Sequence, residues 1–286
     1  MVTGHTSAVT LGKKIVSKKT KRSTPKHGPV QPHEIDRWLD QATRRLAGAD
    51  YPGVISTTQR VLRHTAASPE QCAAALDHLG AAHLMLQHFD AAYAALSQAL
   101  ALTPDDASLW YNRGLASRFT MRFGQALRDF ERAVALESDP MLAKKVAEEL
   151  RISREMAERE LAMRGPHFML TQLIEQEELF QRGVQQMAAE VWEQAEQTFR
   201  QVIAMGDGLP QPWGNLGACL IMQQRYDEAE VALQRALAID SNYEFARYNQ
   251  AALPSFRQSS EPPASRISGP FDGRTLKKSL TFRIDQ

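Results

Sequence analysis

Residues 213–240 read WGNLGACLIMQQRYDEAEVALQRALAID. Apolar residues recur at spacings of 3, 4 and 7 on both sides of the polar break Gln223-Gln224-Arg225. That periodicity marks two amphipathic helices joined by a tight turn. With Gly217 as the origin, Trp213 stands four residues before it. Tyr226, Ala229, Leu233 and Ala236 stand nine, twelve, sixteen and nineteen after it.

The same register recurs three times upstream. Gly80 and Gly114 are 34 residues apart, as are Gly183 and Gly217. Leu76, Trp110 and Leu179 fill the column four before the glycine, and Phe89, Phe123 and Trp192 the column nine after. Ala92, Ala126 and Ala195 follow at twelve, Leu96, Phe130 and Phe199 at sixteen, and Ala99, Ala133 and Val202 at nineteen. A worn fifth copy places Ala42 in the glycine column, with Trp38, Tyr51, Val54, Thr58 and Val61 in the others. It lies 38 residues before Gly80, so its connection is about one helical turn longer.

Small residues are expected where two helix backbones approach closely, and the large ones fill the space between neighbouring helices. One hairpin cannot cover its own apolar face, so the units must stack. Trp213, Leu216-Gly217, Tyr226, Ala229, Leu233 and Ala236 resemble the tetratricopeptide repeat, as do Leu79-Gly80, Ala92, Ala99 and the closing Pro104. The resemblance covers 73–140 and 176–241 well and 33–66 weakly. It implies an all-α superhelix of stacked antiparallel hairpins. Ser138, Asp207 and Ser241 depart from the closing proline, and Arg113 and Arg182 stand where leucine is usual.

Between the repeat pairs, 141–175 does not match the columns. Leu142, Val146, Leu150, Met156 and Leu161 predict a long charged amphipathic helix, stopped by Gly165-Pro166. It reads either as a worn repeat or as a spacer or dimerisation helix. A second helix is expected from about His167 into the next repeat. Residues 243–252, with Tyr243, Phe245 and Tyr248, read as a cap for the exposed end of the array. The expected organisation is a tail (1–30), a worn repeat with two good ones (31–140), a connecting region (141–175), two repeats with a capping helix (176–252), and a second tail (253–286).

Both tails are basic and are expected to be disordered, because neither can bury enough apolar surface to offset ordering entropy. Of the chain's 34 Lys/Arg and 33 Asp/Glu, 13 and 3 lie in the tails, which leaves 21 and 30 in 31–252, a net of −9. Such asymmetry points the tails toward something acidic, the body included. At the far end, Leu280, Phe282 and Ile284 alternate with polar residues, a pattern suited to a short docking segment.

No stretch has the length and hydrophobicity of a transmembrane span or secretory signal. Cys72 and Cys219 lie far apart with no CxxC or Cys/His cluster, which suits a reducing compartment and a cytoplasmic location. Gly12-Lys13 lacks the rest of a phosphate-binding loop, with Ser7 and Lys14 where glycine and a hydroxyl residue are needed. The glycines around Gly206 and Gly217 are interrupted by prolines and follow no strand. His78, His83 and His88 recur every five residues, whereas helical metal pairs need three or four. No catalytic constellation, cofactor or metal is therefore expected, and the reading is not an enzyme.

A binding surface is the stronger candidate. The resemblance implies that the first helix of each hairpin lines a concave groove. Positions three before the glycine and one, four and five after it would point into it. These are Asp77, Ala81, Leu84 and Met85; Tyr111, Leu115, Arg118 and Phe119; Phe180, Val184, Met187 and Ala188; and Gly214, Ala218, Ile221 and Met222. The set is rich in Met, aromatic and Arg residues, which supply adaptable contacts and hot-spot energy. Several of them would otherwise pack inside the superhelix. The expected partner is a protein segment, either an amphipathic helix or an extended apolar peptide. A clamp for a chaperone C-terminal carboxylate is not expected. Asn112 and Asn215 fit it, but Asp77, Ala81 and Phe180 stand where Lys or Asn is needed.

The function read from the sequence is a protein-interaction scaffold or adaptor. Two rivals fit the same sequence. One is a tail-driven contact with nucleic acid or anionic membrane through Lys18-Lys19-Thr20-Lys21-Arg22. The other is self-association through 141–164 or the open faces of the array.

Overall fold

The computed structural model describes residues 32–137 and 140–258, and among them the chain is entirely helical. Both basic runs, and the alternating Leu280, Phe282 and Ile284, lie outside the described residues. Five antiparallel hairpins form as the columns predict. They are α1 (Pro32–Ala47) with α2 (Tyr51–Leu62), α3 (Pro69–Met85) with α4 (Phe89–Leu102), and α5 (Ala107–Phe119) with α6 (Phe123–Leu136). After the single helix α7 (Pro140–Arg164) come α8 (Leu170–Ala188) with α9 (Trp192–Met205), α10 (Pro210–Met222) with α11 (Tyr226–Ile239), and α12 (Glu244–Gln258).

All five hairpins turn in the same way. Ala49, Gln87, Met121, Glu190 and Gln224 each adopt a left-handed φ of 56° to 60°, two residues before the second helix. At each turn two amides satisfy carbonyls of the helix just ended. The Gln87 amide donates to Leu84 O and the His88 amide to His83 O, both at 2.9 Å. The Gln224 and Arg225 amides repeat this on Ile221 and Leu220. This is the Schellman closure, here without the glycine that usually occupies its left-handed position.

The glycine column marks the closest approach of the two helices. A Cβ at Gly80 would lie 2.5 Å from Leu96 Cγ, at Gly114 2.8 Å from Phe130, at Gly183 2.7 Å from Phe199 and at Gly217 2.8 Å from Leu233. Each partner is the large residue sixteen positions on. The worn hairpin keeps this relation by exchange: Ala42 replaces glycine and the smaller Thr58 replaces Leu or Phe, and both are fully buried.

Arg113, a departure from the repeat pattern, is compensated from the facing helix. Its Nε and Nη2 donate to the two carboxylate oxygens of the fully buried Asp129 at 2.9 and 2.6 Å. The Gln125 amide donates to the same carboxylate at 2.6 Å.

The connecting region is one 25-residue helix plus the start of the next. Gly165, at φ 103°, ends α7 as expected. Val146 packs with Phe130 and Ala133 of α6, the place of a first helix in a new unit. Yet α7 and α8 do not close on each other as the five hairpins do. Instead α8 packs on α9 and across the start of α6. Leu173 joins Leu127 and Ala157 in one cluster.

The C-terminal helix corrects one boundary. Residues 253–258 belong to α12 rather than to a tail, and Leu253 and Phe256 are buried in the C-terminal core. They continue the buried face begun by Ala246 and Asn249 at spacings of 3 and 4, which carries the helix through Pro254.

Candidate interaction surfaces

First helices touch first helices along the array: α1 with α3, α3 with α5, α8 with α10, and α10 with α12. Second helices do not match this packing, which places the first helices on the inside of the curve. Such stacks present their inner surface to partners.

The predicted groove residues divide by column. In the column five after the glycine, the last residue of each first helix, Met85 is 60% and Phe119 38% exposed, Ala188 is exposed and Met222 half-buried. Phe119 stacks on Phe89 with ring centroids 4.6 Å apart. Leu84, Leu115 and Val184 are half-buried. Tyr111 and Phe180 are half-buried too, each braced against the large residue of its own hairpin, Phe130 at 5.8 Å and Phe199 at 5.7 Å.

Five predicted groove residues are not at the surface. Arg118, Met187 and Ile221, all four after the glycine, are 7%, 4% and 0% exposed. Residues four apart share a face, so these three lie over the packed glycine, whereas Leu84 in the same column is only half-buried. Arg118 pairs instead with Glu149 of α7 at 3.0 Å. Ala218 and Gly214 are buried as well, and Asn215, one of the two clamp-like asparagines, is fully enclosed.

The structure also shows a feature with no sequence signal. α6 begins without a side-chain cap of its own. The Glu177 carboxylate of α8 accepts the amides of Gly124 at 2.9 Å and Gln125 at 3.2 Å, 53 and 52 residues away in sequence. A carboxylate suits a helix N-terminus, where amides are unpaired and the dipole is positive. Burial nevertheless pushes the Glu177 carboxyl up to about 7, against the opposing pull of those amides and of Arg164. Arg164, at the end of α7, donates to Glu160 at 2.7 Å and to Gln176 at 2.5 Å.

Beside this joint lies a cavity of about 510 Å3. The start of α6, the end of α7, α8, Val202 of α9, the start of α10 and the end of α11 line it. Phe123, Met163, Phe180, Leu209, Pro210 and Ile239 form its apolar wall. Among the described residues no cluster of His, Cys, Asp or Glu could hold a metal ion, and no helix is long and apolar enough to cross a membrane. Both cysteines are free, Cys219 buried and Cys72 partly so.

The architecture defines the class: an α-solenoid of stacked helical hairpins. Tetratricopeptide-repeat family models match residues 79–151 and 210–243. The chain carries tetratricopeptide repeats over these stretches. No curated protein matches it by sequence. Among solved structures it is similar to the tetratricopeptide domain of P58(IPK), with 14% identity, 78% of this chain and 55% of that one covered, and a TM-score of 0.43. It thus spans about half the length of that relative. It is also similar to the TPR2AB domain of yeast Sti1 in complex with pHSP90, at 14% identity, 79% and 84% coverage and a TM-score of 0.37. YrrB, described as a tetratricopeptide-repeat protein with an unusual peptide-binding site, shares 16% identity over 62% of this chain and 91% of its own, with a TM-score of 0.29.

Proposed function

We propose that this protein is a non-catalytic interaction scaffold and that the inner edge of its N-terminal hairpins holds an apolar segment of a partner protein. The observation that carries this reading is the exposure of Met85 and Phe119, at equivalent positions of successive hairpins. Half-buried Leu84, Tyr111 and Leu115 adjoin them on the same two helices. Large apolar side chains gathered on one surface mark a contact site, and Met and aromatic residues supply adaptable, high-energy contacts. Of the C-terminal positions, Phe180, Val184 and Met222 add partly exposed apolar surface. Met187 and Ile221 belong to the core and take no part. Arg118 serves by holding α7 against α5 through Glu149.

The test is selection of binding peptides from a random library on the intact chain. Affinities are then compared for wild type, Met85→Ala/Phe119→Ala and a chain lacking 1–30, each at low and moderate salt. Peptides rich in apolar residues that lose about tenfold or more in affinity with the double variant support the reading, as for removal of hot-spot contacts. Binding lost only with residues 1–30 or with added salt would assign the function to the tail, since such contacts rest on screened charge.

A further inference from the structure

We propose that the cavity at the joint is a docking site for the chain's own C-terminal segment, residues 276–284. The cavity asks for an apolar and cationic occupant. Its wall carries the six large apolar residues named above, while its charged lining is Glu160, Glu177 and Asp240 against the single Arg164. Arg164 is already engaged by Glu160 and Gln176. Glu177 is engaged by the two α6 amides. With Glu160 and Arg164 paired, the exposed Asp240 leaves the rim negative.

Residues 276–284 read LKKSLTFRI, with Lys277, Lys278 and Arg283 and no acid. In extended conformation Leu280, Phe282 and Ile284 fall on one side and Thr281 and Arg283 on the other, because side chains alternate along a strand. Three large apolar side chains suit a cavity of this size, and Lys277 and Arg283, on the other side of the strand, would meet the acidic rim while Lys278 precedes the apolar side. Pockets of some 300–1,000 Å3 with apolar walls and a few placed polar groups are the usual form of such sites.

The tether is the right length. α12 ends at Gln258 and packs on α10 and α11, whose other ends line the cavity. The path back along α11 is roughly 21 Å at 1.5 Å per residue. The 17 intervening residues span up to about 60 Å extended. A tether that exceeds its gap gives an effective concentration of about millimolar. The N-terminal tail fits less well. Its run Lys18-Lys19-Thr20-Lys21-Arg22 has no apolar alternation, and it joins the array at α1, the opposite end.

The experiment uses the full chain with photo-reactive p-benzoylphenylalanine in place of Phe282. Crosslinked peptides are mapped by mass spectrometry over a range of protein concentrations. Expected are crosslinks within one chain, independent of concentration, to α8 around Phe180, to the end of α7 or to 209–212. Met163→Lys adds a cation at a wall residue that is 52% exposed, so the fold is retained, as circular dichroism would check. It should lower the crosslink yield about tenfold, as should raised salt. A yield no higher than with the probe at Ile267 would overturn the proposal. So would crosslinks to Met85 or Phe119, or no response to Met163→Lys. Crosslinks that form only between chains and rise with concentration would also overturn it, assigning the segment to a second copy.

Discussion

The hairpins α5/α6 and α10/α11 share the same columns and fill the rest of their shared seam in opposite ways. Three and four residues after the glycine, α5 buries Ser117 and Arg118 where α10 buries Leu220 and Ile221. Fifteen after it, α6 buries Asp129 where α11 buries Ala232. The first seam is a polar network in which Arg113, Gln125 and Asp129 satisfy one another. The second is plain apolar packing, continuous with Leu253 and Phe256 of α12. The glycine and its large partner define the hairpin, and the neighbouring inward positions accept either chemistry when both helices agree. A buried polar group is tolerated when hydrogen-bonded and costly when its partner is lost.

The largest effect should come from the element the two hairpins share. Phe130→Ala empties the space over Gly114 and should destabilise by about 3–5 kcal/mol in urea unfolding. Leu233→Ala, over Gly217, should fall in the range of about 2–5 kcal/mol. An unchanged midpoint for either would contradict the shared role of that column.

The polar seam has its own test. Asp129→Ala strands the Arg113 guanidinium and should cost about 3–5 kcal/mol, as for a broken buried pair. Adding Arg113→Leu should recover much of that loss, because removing both partners is far less damaging than removing one. If the double variant were as unstable as the sum of its parts, the pair would not be the unit of that seam.

The joint between the two regions titrates. Burial raises the Glu177 carboxyl from 4.5 to about 7. The folded state then holds this proton more tightly than the unfolded chain does. That contribution is complete below about pH 4.5 and is lost as the pH rises through about 7. The thermal unfolding midpoint of wild type should therefore fall relative to that of Glu177→Gln as the pH rises from about 5 to 7. Parallel profiles for the two proteins would remove Glu177 as the titrating group.

The smallest effect concerns what all five hairpins share at their turns. Gln87→Val places a β-branched residue at φ 59°. It should cost up to about 1 kcal/mol beyond what Gln87 already carries there, because a β-branched side chain tolerates the left-handed region worse than an unbranched one. A matching loss for Gln224→Val would show that the turns are equivalent across both regions, even though their seams are not.

Much of the fold was legible beforehand because it is periodic. The columns predicted all five hairpins, the worn one included, and the stop at Gly165. The cap was foreseen but not its length, since Pro254 reads as a breaker until Leu253 and Phe256 find a core to enter. The exposure of the proposed groove positions was only half legible. Met85 and Phe119 are exposed as expected, while Arg118, Met187 and Ile221 share the expected helices and face the packed side.

What the sequence determined by itself is the repeating unit: two helices, a left-handed turn, and a small residue facing a large one sixteen positions later. These are relations within one unit, so spacing along the chain records them. The tertiary structure decided what covers each unit. It set α8 across the start of α6, gave α6 a cap from Glu177, opened the cavity at the joint and enclosed Ile221 while leaving Met85 outside. A helix's periodicity states which of its faces is apolar. Whether a residue at the margin of that face meets a neighbour or solvent depends on helices distant in sequence, and no local pattern encodes their placement.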